Sequence, residues 1–376
     1  MTEVYINKIA KFLPNDAISN EEMETVLGKI AGKPSRARRI ILRSNAIKSR
    51  YYVIDKEQNI VYSNAEITAQ AIKNLDVNLE DLDLLSCGTT LADQIMPNHA
   101  VMVHGELKSK PCEVVATSGI CLSGMTALKY AYLSVKSSES NTAIATGSET
   151  VSTLLHAKNF KKESDIQEEA FNKRPEIAFE KDFLRWMLSD GAGAMLLQNK
   201  PNKNALSLKI KWLDIVSFAN EIDVCMYAGG QNVDNKFKGY REFTQEEWLS
   251  ESLFSIKQDV KLLNAHIVDY TVEKTLRKIL EKRELKVEDV NWFLPHYSSE
   301  YFRDEVAQSL KNANFEIPQE KWFTNLSICG NTGSASMYIM LEELFNSQKL
   351  SIGENILCYV PESGRFSSSF MLLEVV

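Results

Sequence analysis

The chain reads as an α/β protein made of two fused copies of one unit, a reading that rests on three observations. Short apolar or β-branched runs alternate with longer segments of helical period along all 376 residues. The pair Glu80-Asp81, which follows a helical pattern and precedes Leu82-Asp83-Leu84-Leu85, returns 208 positions later as Glu288-Asp289 before Val290-Asn291-Trp292-Phe293-Leu294. The loop and helix at Cys121 return 210 positions later at Asn331, within Ser327-Ile328-Cys329-Gly330-Asn331-Thr332-Gly333-Ser334-Ala335-Ser336. Two helix–strand–loop–helix units at a nearly constant offset predict a duplicated domain. The polar, turn-forming stretch Lys200-Pro201-Asn202-Lys203-Asn204 places the boundary, with halves at 1–200 and 201–376.

Taken in order, Leu82 to Thr89 is a helix end feeding a buried strand. Cys121 to about Ser137 has the spacing of a helix, with Leu122, Met125, Leu128 and Tyr132 roughly one turn apart. Asn141 to Gly147 is a strand, and Asp190-Gly191-Ala192-Gly193-Ala194 is a glycine turn running into another. In the second half Pro295-His296 closes a strand, and Asn331 sits between Gly330 and Gly333. Equivalent loops of a duplicated unit meet at its pseudo-twofold axis. Cys121 then faces His296 and Asn331, a nucleophile opposite two N–H donors.

Cys121 lies in Ser118-Gly119-Ile120-Cys121-Leu122-Ser123-Gly124, where small neighbours leave the sulfur uncrowded and let backbone N–H groups approach a carbonyl. At the start of a helix the positive end of the dipole favours thiolate, so a pKa below the free value of about 8.5 is expected. The net charge of −7 argues against general nucleic-acid binding. Six cysteines without CxxC spacing indicate neither a zinc site nor a disulfide framework. The start Met1-Thr2-Glu3-Val4-Tyr5 lacks the features of a signal peptide, and no apolar run approaches the roughly 18 residues of a membrane span. A cytoplasmic protein without membrane insertion is expected.

Five strings in order resemble the β-ketoacyl-ACP synthase III branch of the thiolase-like condensing enzymes. They are the Cys121 segment, Ser189-Asp190-Gly191-Ala192-Gly193-Ala194, Pro295-His296-Tyr297-Ser298-Ser299, Gly330-Asn331-Thr332-Gly333-Ser334-Ala335-Ser336 and Arg43-Ser44-Asn45-Ala46-Ile47-Lys48-Ser49-Arg50. The resemblance runs essentially end to end. It implies a duplicated thiolase-like fold, five-layered αβαβα with two mixed sheets. It further implies that Cys121 takes an acyl group as a thioester, and that His296 and Asn331 stabilise the enolate of a second thioester. The backbone N–H groups of Cys121 and Gly364 would hold the tetrahedral oxyanion. No permanently bound cofactor or metal is implied. The substrates would be acyl-CoA or phosphopantetheine-bearing acyl carrier protein thioesters. Arg43 aligns with a nucleotide-contacting arginine, within a basic stretch (Lys33, Arg36, Arg38, Arg39, Arg43, Lys48, Arg50) suited to attracting phosphates. A homodimer paired at sheet edges is implied, with Met96 of each subunit lining its neighbour's acyl tunnel.

The chain departs from that family in four places. Tyr297-Ser298-Ser299 replaces Gln-Ala-Asn after the histidine, and Tyr301 holds the carrier-docking arginine position with Arg303 nearby. The C-terminal triple-glycine motif is reduced to Ser363-Gly364-Arg365, and residues 157–183 form a longer charged segment. These point to specialised lipid or polyketide-like biosynthesis. Gly88-Thr89-Thr90 lacks the glutamate of hydroxymethylglutaryl-CoA synthases, and Met96 stands where head-to-head condensing relatives donate a glutamate, with Asp93 close by. Three further readings remain open: a resorcinol- or pyrone-forming condensation of two acyl chains, acyl transfer to an alcohol or amine by the same Cys–His pair, and a catalytically silent partner subunit.

Overall fold

The computed structural model describes residues 2–160 and 183–376, apart from Lys33, Arg36, Ala37 and Asn235. Most of the charged segment 157–183 therefore lies outside the described residues. Nine strands build the main sheet: β1 (Tyr5–Phe12), β2 (Leu84–Thr89), β3 (Glu113–Ser118), β4 (Thr142–Glu149), β5 (Gly191–Gln198), β6 (Leu208–Ser217), β7 (Trp292–Pro295), β8 (Asn355–Glu362) and β9 (Ser367–Val375). Their spatial order is β3-β2-β4-β5-β1-β6-β9-β8-β7. Strands β2, β4, β5 and β1 follow one another with a parallel and then two antiparallel pairings, and β7, β8, β9 and β6 repeat the order and the senses. The counterpart of β3 is reduced to a single parallel bridge, Phe293↔Trp322. The two mixed half-sheets join through only two residue pairs, Tyr5↔Lys209 and Ile6↔Leu208.

The principal helices are α1 (Arg38–Asn45), α2 (Asn64–Lys73), α3 (His99–Leu107), α4 (Ser123–Ser137), α5 (Val260–Val268), α6 (Arg303–Asn312) and α7 (Ser336–Phe345). Local chemistry sets their starts. Ser63 and Glu66 form a capping box at α2, and the Asn98 side chain accepts from the Val101 N–H at α3. A π-helical turn, Asp269–Lys274, carries α5 into Thr275–Leu280.

Side-chain alternation in the strands produces the layers. On β8, Ile356, Cys358 and Val360 point into a core shared with α4 and α7, whereas Leu357 and Tyr359 point to the opposite face. The first-half residues Leu84, Ala145, Met195 and Leu197 meet the same α4–α7 core. Helices α4 and α7 are therefore sandwiched between the half-sheets, with α2 and α3 outside one and α5 and α6 outside the other. Residues Ser336 to Leu341 of α7 are all buried, as expected of a helix covered on every side.

The halves lock together where the loop before α7 meets the start of α4. The Ser334 carbonyl oxygen lies 2.2 Å from where a Cβ on Gly124 would be, and 2.3 Å from one on Gly147. Only glycine permits that approach. The Ser334 hydroxyl donates to the Ser148 carbonyl at 2.6 Å, and the Tyr338 hydroxyl to the Gly124 carbonyl at 2.8 Å. Gly147→Ala should therefore destabilise the protein by ~3 kcal/mol or more, read as a shift in urea midpoint. Gly105→Ala on α3, where a Cβ meets nothing within 4 Å, should leave the midpoint unchanged or raise it.

Candidate active site

Cys121 occupies the turn between β3 and α4. That turn is closed by Ser123, whose backbone N–H and hydroxyl both donate to the Ile120 carbonyl, at 3.2 and 2.8 Å. His296 follows β7 directly, and its N–H donates to the Tyr359 carbonyl at 2.8 Å. Asn331 is held by its backbone in a parallel bridge to Leu188. Its Oδ1 accepts from the Gly333 N–H at 3.0 Å, which leaves Nδ2 as the free donor.

One cavity of about 590 Å³ brings Cys121, His296, Asn331 and Gly364 together. Among the described residues no backbone carbonyl accepts a hydrogen bond from the N–H of Cys121 or of Gly364. Much of the lining is apolar and includes Met226, Phe237, Ile256, Leu263, Ile267 and Val306. Such a cavity suits an apolar ligand fixed by a few polar groups at one end. Arg365 lines it as well, its Nε donating to the Ile222 carbonyl at 2.8 Å.

Burial controls the electrostatics. It pushes the His296 pKa down to about 4, so the imidazole is neutral at physiological pH and carries one N–H donor. The Cys121 thiol moves opposite to the sequence expectation. Burial, reinforced by the nearby carboxyls of Glu149 and Glu362, raises its pKa well above the usual thiol range. The helix dipole is visible in sequence, whereas the two glutamates arrive only through folding.

Neither glutamate stands out in the sequence. Glu149 ends β4, is 2% exposed, and accepts through Oε2 from the Thr90 hydroxyl and from the Ser334 N–H at 3.3 Å. Its Oε1 has no hydrogen-bond partner among the described residues, and burial raises its pKa to about 8. Glu362 ends β8, and its Oε2 accepts from the backbone N–H groups of Ile120 and Leu122. The available signal was a single charge closing an otherwise apolar strand, Ile356 to Pro361.

Other sequence candidates lie elsewhere. Met96 is 76% exposed beside Ile95 at 71%, away from the cavity of its own chain. Arg43 is exposed on α1, outside the cavity lining, although the Ser299 hydroxyl in the loop after His296 donates to the adjacent Ser44 carbonyl at 3.5 Å. The basic stretch is not a uniform patch: Arg50 is fully buried, and Arg38 lies over the Trp186 ring at 5.4 Å. Arg303 is engaged with Glu300, Gln319 and the Tyr297 hydroxyl, so it is not a free docking cation. Tyr297 is buried against the cavity. Cys329 is buried near Glu343. No group of three or more potential metal ligands occurs among the described residues.

Comparison with known proteins gives the same class as the geometry. The family profile for the 3-oxoacyl-(acyl-carrier-protein) synthase III C-terminal region matches residues 280–369, and that for the thiolase N-terminal domain matches 46–179. β-Ketoacyl-(acyl-carrier-protein) synthase III of Clostridium perfringens is 25% identical over 92% of this chain and 91% of its own. The solved synthase III of Aquifex aeolicus superposes with a TM-score of 0.70 at 22% identity, and the tetronic acid condensing enzyme AbyA1 with 0.75 at 17%, each over 99% of both chains. The fold is that of a thiolase-like acyl-transferring enzyme. Within that class the chain belongs with the β-ketoacyl-ACP synthase III-like condensing enzymes, the ketosynthases of fatty acid and lipid biosynthesis.

The buried titratable groups fix the sign of the pH dependence of stability. Glu149 at about 8 and Asp190 at about 7 hold protons that the unfolded chain has released, so their contribution is lost as pH rises through those values. His296 and His99, both near 4, act in the opposite sense but only below about pH 6.5. The melting temperature should therefore fall between roughly pH 6.5 and 8.5, and Glu149→Gln should flatten that fall. A flat or rising wild-type profile over this range contradicts the buried, neutral Glu149.

Proposed function

We propose that the protein joins a Cys121-bound acyl group to a second acyl thioester by forming a carbon–carbon bond. The observation that carries this reading is the shared cavity, in which Cys121, a neutral His296 and the free Nδ2 of Asn331 face one space with much apolar lining. Sγ of Cys121 attacks the first thioester, and the tetrahedral oxyanion is held by the backbone N–H groups of Cys121 and Gly364. The second thioester then loses CO2, if it is of malonyl type, while the imidazole N–H of His296 and Nδ2 of Asn331 donate to its carbonyl oxygen as negative charge develops there. A neutral donor in a dry pocket serves this purpose well, since fixed dipoles need no reorganisation as the charge forms. The resulting carbanion attacks the acyl-Cys121 carbonyl, and Sγ leaves.

The apolar lining supports an acyl substrate with a hydrocarbon chain of some length. CoA or an acyl carrier protein would deliver it, and the exposed Arg39, Arg43 and Lys48 suit a phosphate-bearing donor. The division at 200/201 gives one half the nucleophile and the other the two donors. A homodimer is supported by β3, an unpaired edge strand, and by the exposed apolar loop Ile95-Met96 nearby in sequence, which would reach a neighbouring subunit. No described helix is long and apolar enough to cross a membrane, and we place the protein in the cytoplasm with the carrier-dependent reactions it resembles. The departures at Tyr297, Tyr301 and Arg365 support a specialised lipid or polyketide-like product.

Intact-protein mass spectrometry after incubation with mixed acyl-CoA, and then with acyl carrier protein thioesters, should show an acyl adduct on wild type. The adduct should be absent from Cys121→Ala. If wild type stays unlabelled with both donors, the covalent mechanism is wrong. Leu263→Trp, which adds bulk to the apolar lining, should shift the adduct population toward shorter chains.

A further inference from the structure

The chemistry above leaves two cavity carboxyls, Glu149 and Glu362, without a task. Glu362 is built into the nucleophile's own loop: Oε2 accepts from the Ile120 N–H at 3.0 Å and from the Leu122 N–H at 3.2 Å, the residues on either side of Cys121. Oε1 accepts no hydrogen bond from any described residue. Glycines flank the carboxyl on two sides. A Cβ at Gly119 would stand 3.0 Å from Oε2, and one at Gly364 would stand 3.4 Å from Oε1. The group is thus seated between the loop that carries the thiol and the turn that carries the second oxyanion donor.

Burial raises the pKa of this carboxyl, and in its ionised form it has two consequences. It raises the energy of a neighbouring thiolate, and it opposes any oxyanion forming at the N–H groups of Cys121 and Gly364. One event removes both: arrival of the thiol proton on Glu362. The other candidates do not serve. Burial makes His296 a poor base, and Glu149 is already protonated at neutral pH with its Oε2 held by Thr90 and Ser334.

We propose that Glu362 is the catalytic proton acceptor for the Cys121 thiol. As Sγ bonds to the carbonyl carbon of the donor thioester, the Sγ–H proton passes to Oε1 of Glu362. As the donor C–S bond breaks, the neutral Glu362 returns that proton to the departing thiolate. The products are acyl-Cys121 and a free donor thiol, and negative charge moves from carboxylate to oxyanion without accumulating in the pocket. This inference rests on acylation of Cys121.

The test is single-turnover acylation of wild type and Glu362→Gln by one acyl-CoA across pH 5.5–9, with iodoacetamide alkylation of Cys121 run alongside. The amide can still accept from the Ile120 and Leu122 N–H groups but cannot take a proton. The other ionisable groups facing the cavity are Glu149, His296, Tyr227, Tyr297, Tyr359 and Arg365, and the substitution leaves them in place. Acylation should slow ~100-fold or more at pH 7. The acid limb of the wild-type profile should vanish, and the variant's rate should climb about tenfold per pH unit as the thiol ionises unaided. Alkylation should not slow. Acylation within about threefold of wild type with an unchanged profile overturns the proposal. So does a proportional loss of acylation and alkylation, which marks a structural role. An unlabelled wild type instead removes the Cys121 reading on which the proposal stands.

Discussion

The approach of the Ser334 carbonyl to the backbones of Gly124 and Gly147 holds the active site together. Gly124 belongs to the helix that starts just after Cys121, Gly147 to the strand that ends in Glu149, and Ser334 to the loop that carries Asn331. Any side chain at either glycine would push the second-half loop away from the first-half helix. The Ser334 N–H donates to Glu149, the Ser334 hydroxyl to Ser148, and Tyr338 from α7 to Gly124. These contacts set the distance across which nucleophile and donors face each other. The half-sheets themselves meet through only two residue pairs, so the middle helices carry much of the alignment.

Dryness explains the charge states in the cavity. The same desolvation that keeps His296 neutral raises the Cys121 thiol and leaves Glu149 protonated near neutral pH. A neutral imidazole is the useful form for stabilising an enolate, but a protonated thiol is the wrong form for attack. A site of this kind needs a local group to take the thiol proton as Sγ attacks. Glu362 faces the same space and is anchored to the same loop.

The duplicated α/β fold and the Cys–His–Asn set were legible because their signals are contiguous in the chain. Period, glycine turns and the offset between Cys121 and Asn331 survive in sequence order. The mirrored order of β2-β4-β5-β1 and β7-β8-β9-β6 adds a repeat that sequence offset alone does not reveal, and the reduced counterpart of β3 at Trp322 is invisible without pairing. Glu149 and Glu362 were missed because each is an ordinary acid at a strand end. They reach Cys121 only after β4 and β8 are in register. The thiol's upward shift was missed for the same reason, and Arg50 was read as surface charge although it is buried. Met96 and Arg43 remain outside the cavity of a single chain, so any role they have depends on a second subunit or on the substrate's far end.

The most direct test of the account is the fate of an acyl group already on Cys121. Wild-type protein carrying an isotope-labelled acyl adduct would be mixed with a malonyl thioester, and the released product analysed by mass and fragmentation together with CO2. The account predicts that the label leaves Cys121 joined to the second fragment through a new carbon–carbon bond, with one CO2 per label. Label recovered as an ester, an amide or free acid, with no such bond and no CO2, would contradict it.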